Sequence, residues 1–133
     1  MRSNLKKLFI VSLLVCLIPS IVFGINPTFA EVKRLALTAK VDSRGDYFLN
    51  KIVVDRDGEK IVFILGYLSD FKNVGVLVNK GDTTVVVCFD ESTGIYDSDL
   101  TVGGQRFTKN ISEEEATVFV KKVLKIFKEG VDA

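Results

Sequence analysis

Few side chains in this chain could do chemistry, and their types narrow what that chemistry could be. The 133 residues include no histidine. That removes the commonest general base, the commonest metal ligand, and the serine and cysteine triads that depend on an imidazole. Cys88 is a nucleophile by type, but it lies in the apolar run Val85-Val86-Val87-Cys88-Phe89 with no histidine to activate it. It reads as a small buried hydrophobe. Asp97-Ser98-Asp99, with Asp90 and Glu91 nearby, is the one place where calcium could be held, and Asp97 and Asp99 are the candidate ligands. The stretch lacks the glycine and the distant glutamate of an EF-hand loop, and a solvated acidic loop accounts for the same residues without a metal. A carboxylate pair for cleaving a surface polymer could be drawn from Asp90, Asp97 and Asp99, yet no spacing singles out a pair. No catalytic residue, cofactor or metal is therefore expected.

Short motifs add little. Arg44-Gly45-Asp46 spells an integrin-type tripeptide, but glycine and aspartate are expected anyway in a tight turn. Asn110-Ile111-Ser112 has the form of a glycosylation sequon, while Ser112 reads as a helix cap. Gly103-Gly104 lacks the lysine and following helix of a phosphate loop and reads as a turn. The lysines near the C-terminus fit the wet face of an amphipathic helix better than a membrane-binding surface.

These residues must be positioned by strands. Residues 60–68, Lys-Ile-Val-Phe-Ile-Leu-Gly-Tyr-Leu, form a nearly unbroken apolar run, the pattern of a strand covered on both faces. Ile61, Phe63, Leu65 and Tyr67 share one side; Val62, Ile64 and Leu68 share the other. Residues 83–90 repeat the pattern, with Val85, Val87 and Phe89 opposing Val86 and Cys88. Strands are also expected at 31–42, where Leu35, Leu37, Ala39 and Val41 alternate, and at 47–55 and 73–79. Asp57-Gly58 marks a hairpin. Residues 95–108 could add a last strand or small hairpin. Short polar turns between the runs give an antiparallel meander of five to six strands.

The C-terminal segment is helical. Ser112 and Glu115 make a capping box, and Ile111 and Ala116 sit where a hydrophobic staple would place them. Glu113, Glu114 and Glu115 suit the positive end of the helix dipole, and Lys121, Lys122, Lys125 and Lys128 the negative end. Ala116, Phe119, Val120, Val123, Leu124 and Phe127 form its apolar stripe, and Gly130 ends it. The fold class is α+β: a twisted or half-barrel sheet with one C-terminal helix packed on it.

The first thirty residues are unlike the rest. Arg2, Lys6 and Lys7 precede an apolar block at 8–25, and no acid occurs before Glu31. This is the layout of a secretory signal peptide. Thr28-Phe29-Ala30 offers a cleavage site that leaves a single domain at 31–133; Val22-Phe23-Gly24 is the second choice. An uncleaved membrane anchor is the competing reading, although the block is interrupted by Ser12, Pro19 and Ser20 and is short for a span of about 20 apolar residues. Cys16 lacks the small preceding residue of a lipoprotein signal. The leader takes three of the 18 basic residues and none of the 17 acids, so the remainder is slightly acidic, at about −2. That argues against a nucleic-acid partner.

One helix about 10 Å wide shields roughly two strands spaced about 4.8 Å apart. A sheet with two doubly apolar strands then has surplus apolar surface. Curling around the helix, a second copy, a partner or a hydrophobic ligand could cover it. The expectation is an exported, non-catalytic binding domain of bacterial type, secreted, periplasmic or attached to the cell envelope, touching a membrane only through an uncleaved leader. If the helix covers the Phe63 and Leu65 row, the interaction face contains Val62, Ile64, Val86 and Cys88. The alternatives are a carboxylate-based hydrolase of surface polymers and a membrane-tethered envelope domain.

Overall fold

The computed structural model describes residues 24–39 and 46–129. The basic head and most of the apolar block of the expected leader, Arg44 and Gly45 of the tripeptide, and the expected helix stop at Gly130 lie outside the described residues.

The first described element is a helix, α1 (Pro27–Thr38), and this corrects the strand expected over 31–42 for its described part; residues 40–42 lie outside the described residues. Asn26 is its N-cap: the Asn26 side-chain oxygen accepts the Phe29 backbone N–H at 3.0 Å. Pro27 occupies the first turn, where a missing N–H costs nothing and the fixed φ suits the helix. Phe29, Val32 and Ala36 follow at helical spacing, and all three are fully buried. Leu37, part of the expected alternating row, points outward instead, 44% exposed.

Six strands follow: β1 (Tyr47–Arg56), β2 (Glu59–Leu68), β3 (Asn73–Lys80), β4 (Thr83–Asp90), β5 (Ile95–Val102) and β6 (Gln105–Ile111). They form one antiparallel sheet in the order β1-β2-β3-β4-β5-β6, each strand paired with its sequence neighbour. The meander is thus present, and the stretch after residue 95, expected as a last strand or small hairpin, is a full hairpin. The tight turns fall where expected. Asp57 and Gly58 both have positive φ (54° and 81°), as do Gly103 and Gly104 (55° and 87°), the backbone of a two-residue hairpin loop.

The chain closes with α2 (Glu113–Glu129). Its capping box forms in both directions: the Glu115 N–H donates to Ser112 Oγ at 3.1 Å, and the Ser112 N–H donates to Glu115 Oε1 at 3.3 Å. Ala116, Val120, Val123 and Leu124 are buried, with Phe119 and Phe127 partly so.

Both helices lie on the same face of the sheet. α1 crosses β1, β2 and β3; α2 crosses β3, β4 and β5; and the two helices touch each other. Cross-strand register aligns the core in rows: Ile52, Phe63, Val78 and Val85 in one, and Leu65, Val76 and Val87 in the next. A third row runs Tyr67, Val74, Phe89 and Tyr96. Phe29 seals this last row from above, its ring 5.3 Å from Tyr96 and 6.0 Å from Phe89, while Phe89 and Tyr96 lie 4.6 Å apart. Aromatic groups at such separations contribute beyond their buried area. Polar ties then fix the helix layer. Lys33 Nζ sits 2.9 Å from Glu91 Oε2 and 4.5 Å from the centre of the Tyr67 ring, and Glu31 joins Arg34 of its own helix to Lys128 of α2. Among the described residues, no helix is long and apolar enough to cross a membrane.

Candidate functional site

The face opposite the helices is built from the alternate residues of the same strands. One row runs Lys51, Ile64, Leu77, Val86 and Asp99; the next runs Leu49, Gly66, Gly75, Cys88 and Asp97. Val62 lies one step further along β2, beside Val53 of β1. The four expected face residues, Val62, Ile64, Val86 and Cys88, therefore stand on one side, away from Phe63 and Leu65. Leu68, read from the sequence as sharing the side of Val62 and Ile64, joins them, as do Leu49 of β1 and Leu77 of β3, which lie outside the two doubly apolar strands.

Three of the four, Ile64, Val86 and Cys88, line a shallow apolar trough of ≈ 300 Å³. Its floor is the directly paired Gly66 and Gly75, and Leu49, Leu68 and Leu77 complete its walls. The two glycines make the dent. Gly75 has no room for more: a Cβ there would strike the Val87 carbonyl oxygen and come within 2.8 Å of Cys88 Cβ. At Gly66 a Cβ would meet Leu49 Cδ2 at 3.2 Å, a side-chain end that can swing aside. Among the described residues, only the sheet itself lines this trough.

The acidic stretch is not a loop, which corrects the loop reading. Asp97 and Asp99 alternate along β5 and face the same side as Cys88 and Val86, their register partners. Arg106 of β6 grips Asp99, with Nε at 2.9 Å from one carboxylate oxygen and 3.0 Å from the other. This guanidinium holds the Asp99 carboxyl below the usual carboxylate range, against a smaller opposing effect of burial. Asp90 is likewise held low, first by the Ser92 hydroxyl, which donates to Oδ1 at 2.6 Å. Neither acid has the raised pKa that a proton donor in glycoside cleavage needs. Among the described residues, no three potential ligands gather to hold a metal ion.

Cys88 borders the trough with a thiol pushed up to about 11, chiefly by burial and then by the nearby Asp97, Asp99 and Asp90 charges. A thiol in that state is a poor nucleophile at neutral pH. A larger recess, ≈ 990 Å³, opens where the N-terminal ends of the two helices meet, lined by Asn26, Glu113, Thr117, Val118 and Lys122 among others. Across it Asn26 Nδ2 lies 2.8 Å from Glu113 Oε2 and 3.2 Å from Thr117 Oγ1.

No protein-family model matches the chain, and no curated protein or solved structure matches it either.

Proposed function

We propose that this chain is an exported, non-catalytic interaction domain that pairs reversibly with a second copy of itself through the helix-free face of its sheet. The observation that carries the reading is the stacking of both helices on one side, which leaves Leu49, Val62, Ile64, Leu68, Leu77, Val86 and Cys88 on the other. Two helices side by side provide the cover that curling was expected to provide, so the proposed shape is a twisted open sheet rather than a half-barrel.

A second copy fits this face for two reasons. The first is charge. Lys51 on β1 and Asp97 on β5 stand at opposite margins of the apolar rows, Asp99 beside Asp97 being already paired with Arg106. A two-fold axis running along β3 lays β1 of one copy over β5 of the other, so each lysine faces the acidic margin of its partner and the contact is made twice in the pair. Such self-complementarity is what an isologous interface requires. The second is size. Five strands about 4.8 Å apart, over six residues each, present a face of roughly 500 Å², so a pair covers about 1,000 Å². That is the low end for a specific interface, which makes the association concentration-dependent.

The reading of a carboxylate hydrolase has less support, since Asp90 and Asp99 are each held in the ionised state by neighbours. Sedimentation velocity of the exported protein over a rising concentration series tests the proposal. The expected result is a monomer–dimer equilibrium that Ile64→Lys abolishes. A monomer at every concentration, with no binding of an apolar dye, overturns it. Dye binding by a strict monomer would point to a hydrophobic ligand or a different partner and would equally exclude the second copy.

A further inference from the structure

We propose that export processing cuts the chain between Gly24 and Ile25, so that residues 25–30 belong to the mature domain. The inference rests on the export part of the proposed function and names the bond at which that export is completed. The sequence pattern alone favours a cut after Ala30, because Thr28 and Ala30 are both small. The packing favours Gly24.

Residues 25–30 are built into the fold at every level. Ile25 packs against the core cluster. Asn26 caps α1 through its side-chain oxygen, while its Nδ2 reaches Glu113 and Thr117 of α2 and lies 3.4 Å from the Tyr96 hydroxyl. Pro27 is placed where a helix accepts proline, and the Ala30 N–H closes the first turn on the Asn26 carbonyl at 2.9 Å. Phe29 is 0% exposed and fills the space above Phe89 and Tyr96. A cut after Ala30 would discard the cap, the first turn and one of the largest fully buried side chains, leaving a phenyl-sized void and a helix of only residues 31–38. A segment destined for removal needs only charge, apolarity and a small residue at the cut; it has no use for an N-cap that bonds to a helix some 90 residues later.

The bond before Ile25 suffers none of this. Gly24 is exposed and precedes the cap, outside any helix or strand. It supplies the smallest possible residue before the cut, with compact Val22 two positions earlier. The step is a peptide hydrolysis by a leader-removing protease. Water adds across the Gly24–Ile25 amide, the C–N bond breaks, Gly24 leaves as a carboxylate, and Ile25 begins the mature chain as an ammonium.

The test is the intact mass of the full-length chain produced in a secreting bacterial host, together with Gly24→Trp and Ala30→Leu. The expected wild-type mass begins at Ile25. Gly24→Trp leaves that cut unmade, and Ala30→Leu is still processed to Ile25. An exported product beginning at Glu31, or at any residue other than Ile25, overturns the inference, as does an exported chain that keeps its leader. A full-length mass confined to the cytoplasm is a different failure: it sinks the export reading itself, whereas a start at Glu31 leaves export standing and removes only the proposed bond.

Discussion

Cys88 shows how one side chain reports both the burial and the charge of the helix-free face. Its thiol is pushed up to about 11 by burial, and then by the carboxylates on its own face. In the unfolded chain it returns to the ordinary cysteine value of about 8.5. The folded form therefore holds more protons between those two values, and stability falls as pH rises through that window. Tyr96 extends the effect upward: burial, then the Glu113 charge beside its hydroxyl, push its phenol up to about 12. Melting curves should show a decline in Tm beginning near pH 9, and Cys88→Ala should remove the part of it below about pH 10, where the unfolded tyrosine has not yet begun to ionise. At pH 8, alkylation of the folded protein should be at least about tenfold slower than in urea, after allowing for the greater intrinsic nucleophilicity of a high-pKa thiol. Equal rates in the two states would mean that the thiol is not buried beside those acids. Phe29 makes the complementary statement from the core side. Phe29→Ala should cost about 3–5 kcal/mol, the usual range for deleting a buried aromatic ring. Denaturant unfolding measures it, and a loss below about 1 kcal/mol would place Phe29 outside the core.

At the scale of elements, the paired glycines of β2 and β3 are not equivalent. Gly75→Ala drives a methyl into the Val87 backbone and should cost about 1–3 kcal/mol, because overpacking can be relieved only by spreading β3 from β4. Gly66→Ala meets only the end of the Leu49 side chain and should cost less. Urea midpoints of the two variants give the order directly. The elements differ too in how plainly the sequence announced them. β2 and β4 were legible because unbroken β-branched runs have few other uses, and Asp57-Gly58 because few residue pairs accept positive φ. α2 carried a complete capping box. The hairpin of β5 and β6 was faint because its residues face mixed surroundings: Asp97 and Asp99 border the trough, while Phe107, on the helix side beyond the reach of α2, stays 55% exposed. α1 was misread because two patterns overlap in it. Leu35, Leu37, Ala39 and Val41 alternate like a strand, whereas the stripe that packs, Phe29, Val32 and Ala36, begins inside the apparent leader. Taken as the end of a leader, Asn26-Pro27 looks like a helix stop; a cap and a proline at the first turn are equally a helix start. The face residues were legible as a set once strand parity was known, but parity cannot say which side the helices take.

For the molecule as a whole, that choice of side is the decisive feature, and consecutive residues of one strand can test it. Val76 points into the helix layer, 2% exposed, and Leu77 points into the trough on the opposite face. A carboxylate at 76 would be buried among apolar side chains with no partner, a cost of several kcal/mol set against a total stability of about 5–15 kcal/mol. Val76→Asp should therefore unfold the domain, as judged by circular dichroism. Leu77→Asp places the same group at a half-open surface, where it keeps much of its water, and should change stability by only about 1 kcal/mol. Its effect should appear in assembly instead. Leu77 lies on β3, along which the proposed two-fold axis runs, so two copies would bring two new carboxylates together at the centre of their contact, and like charges in a drying interface repel. The sedimentation equilibrium of Leu77→Asp should accordingly collapse to monomer with the fold intact. If it unfolds like Val76→Asp, the trough is covered in the native chain and the face is core. If it folds and still dimerises, the two copies meet elsewhere. Folding and assembly are thus assigned to alternate residues of the same strands, and a pair of substitutions one position apart should separate them.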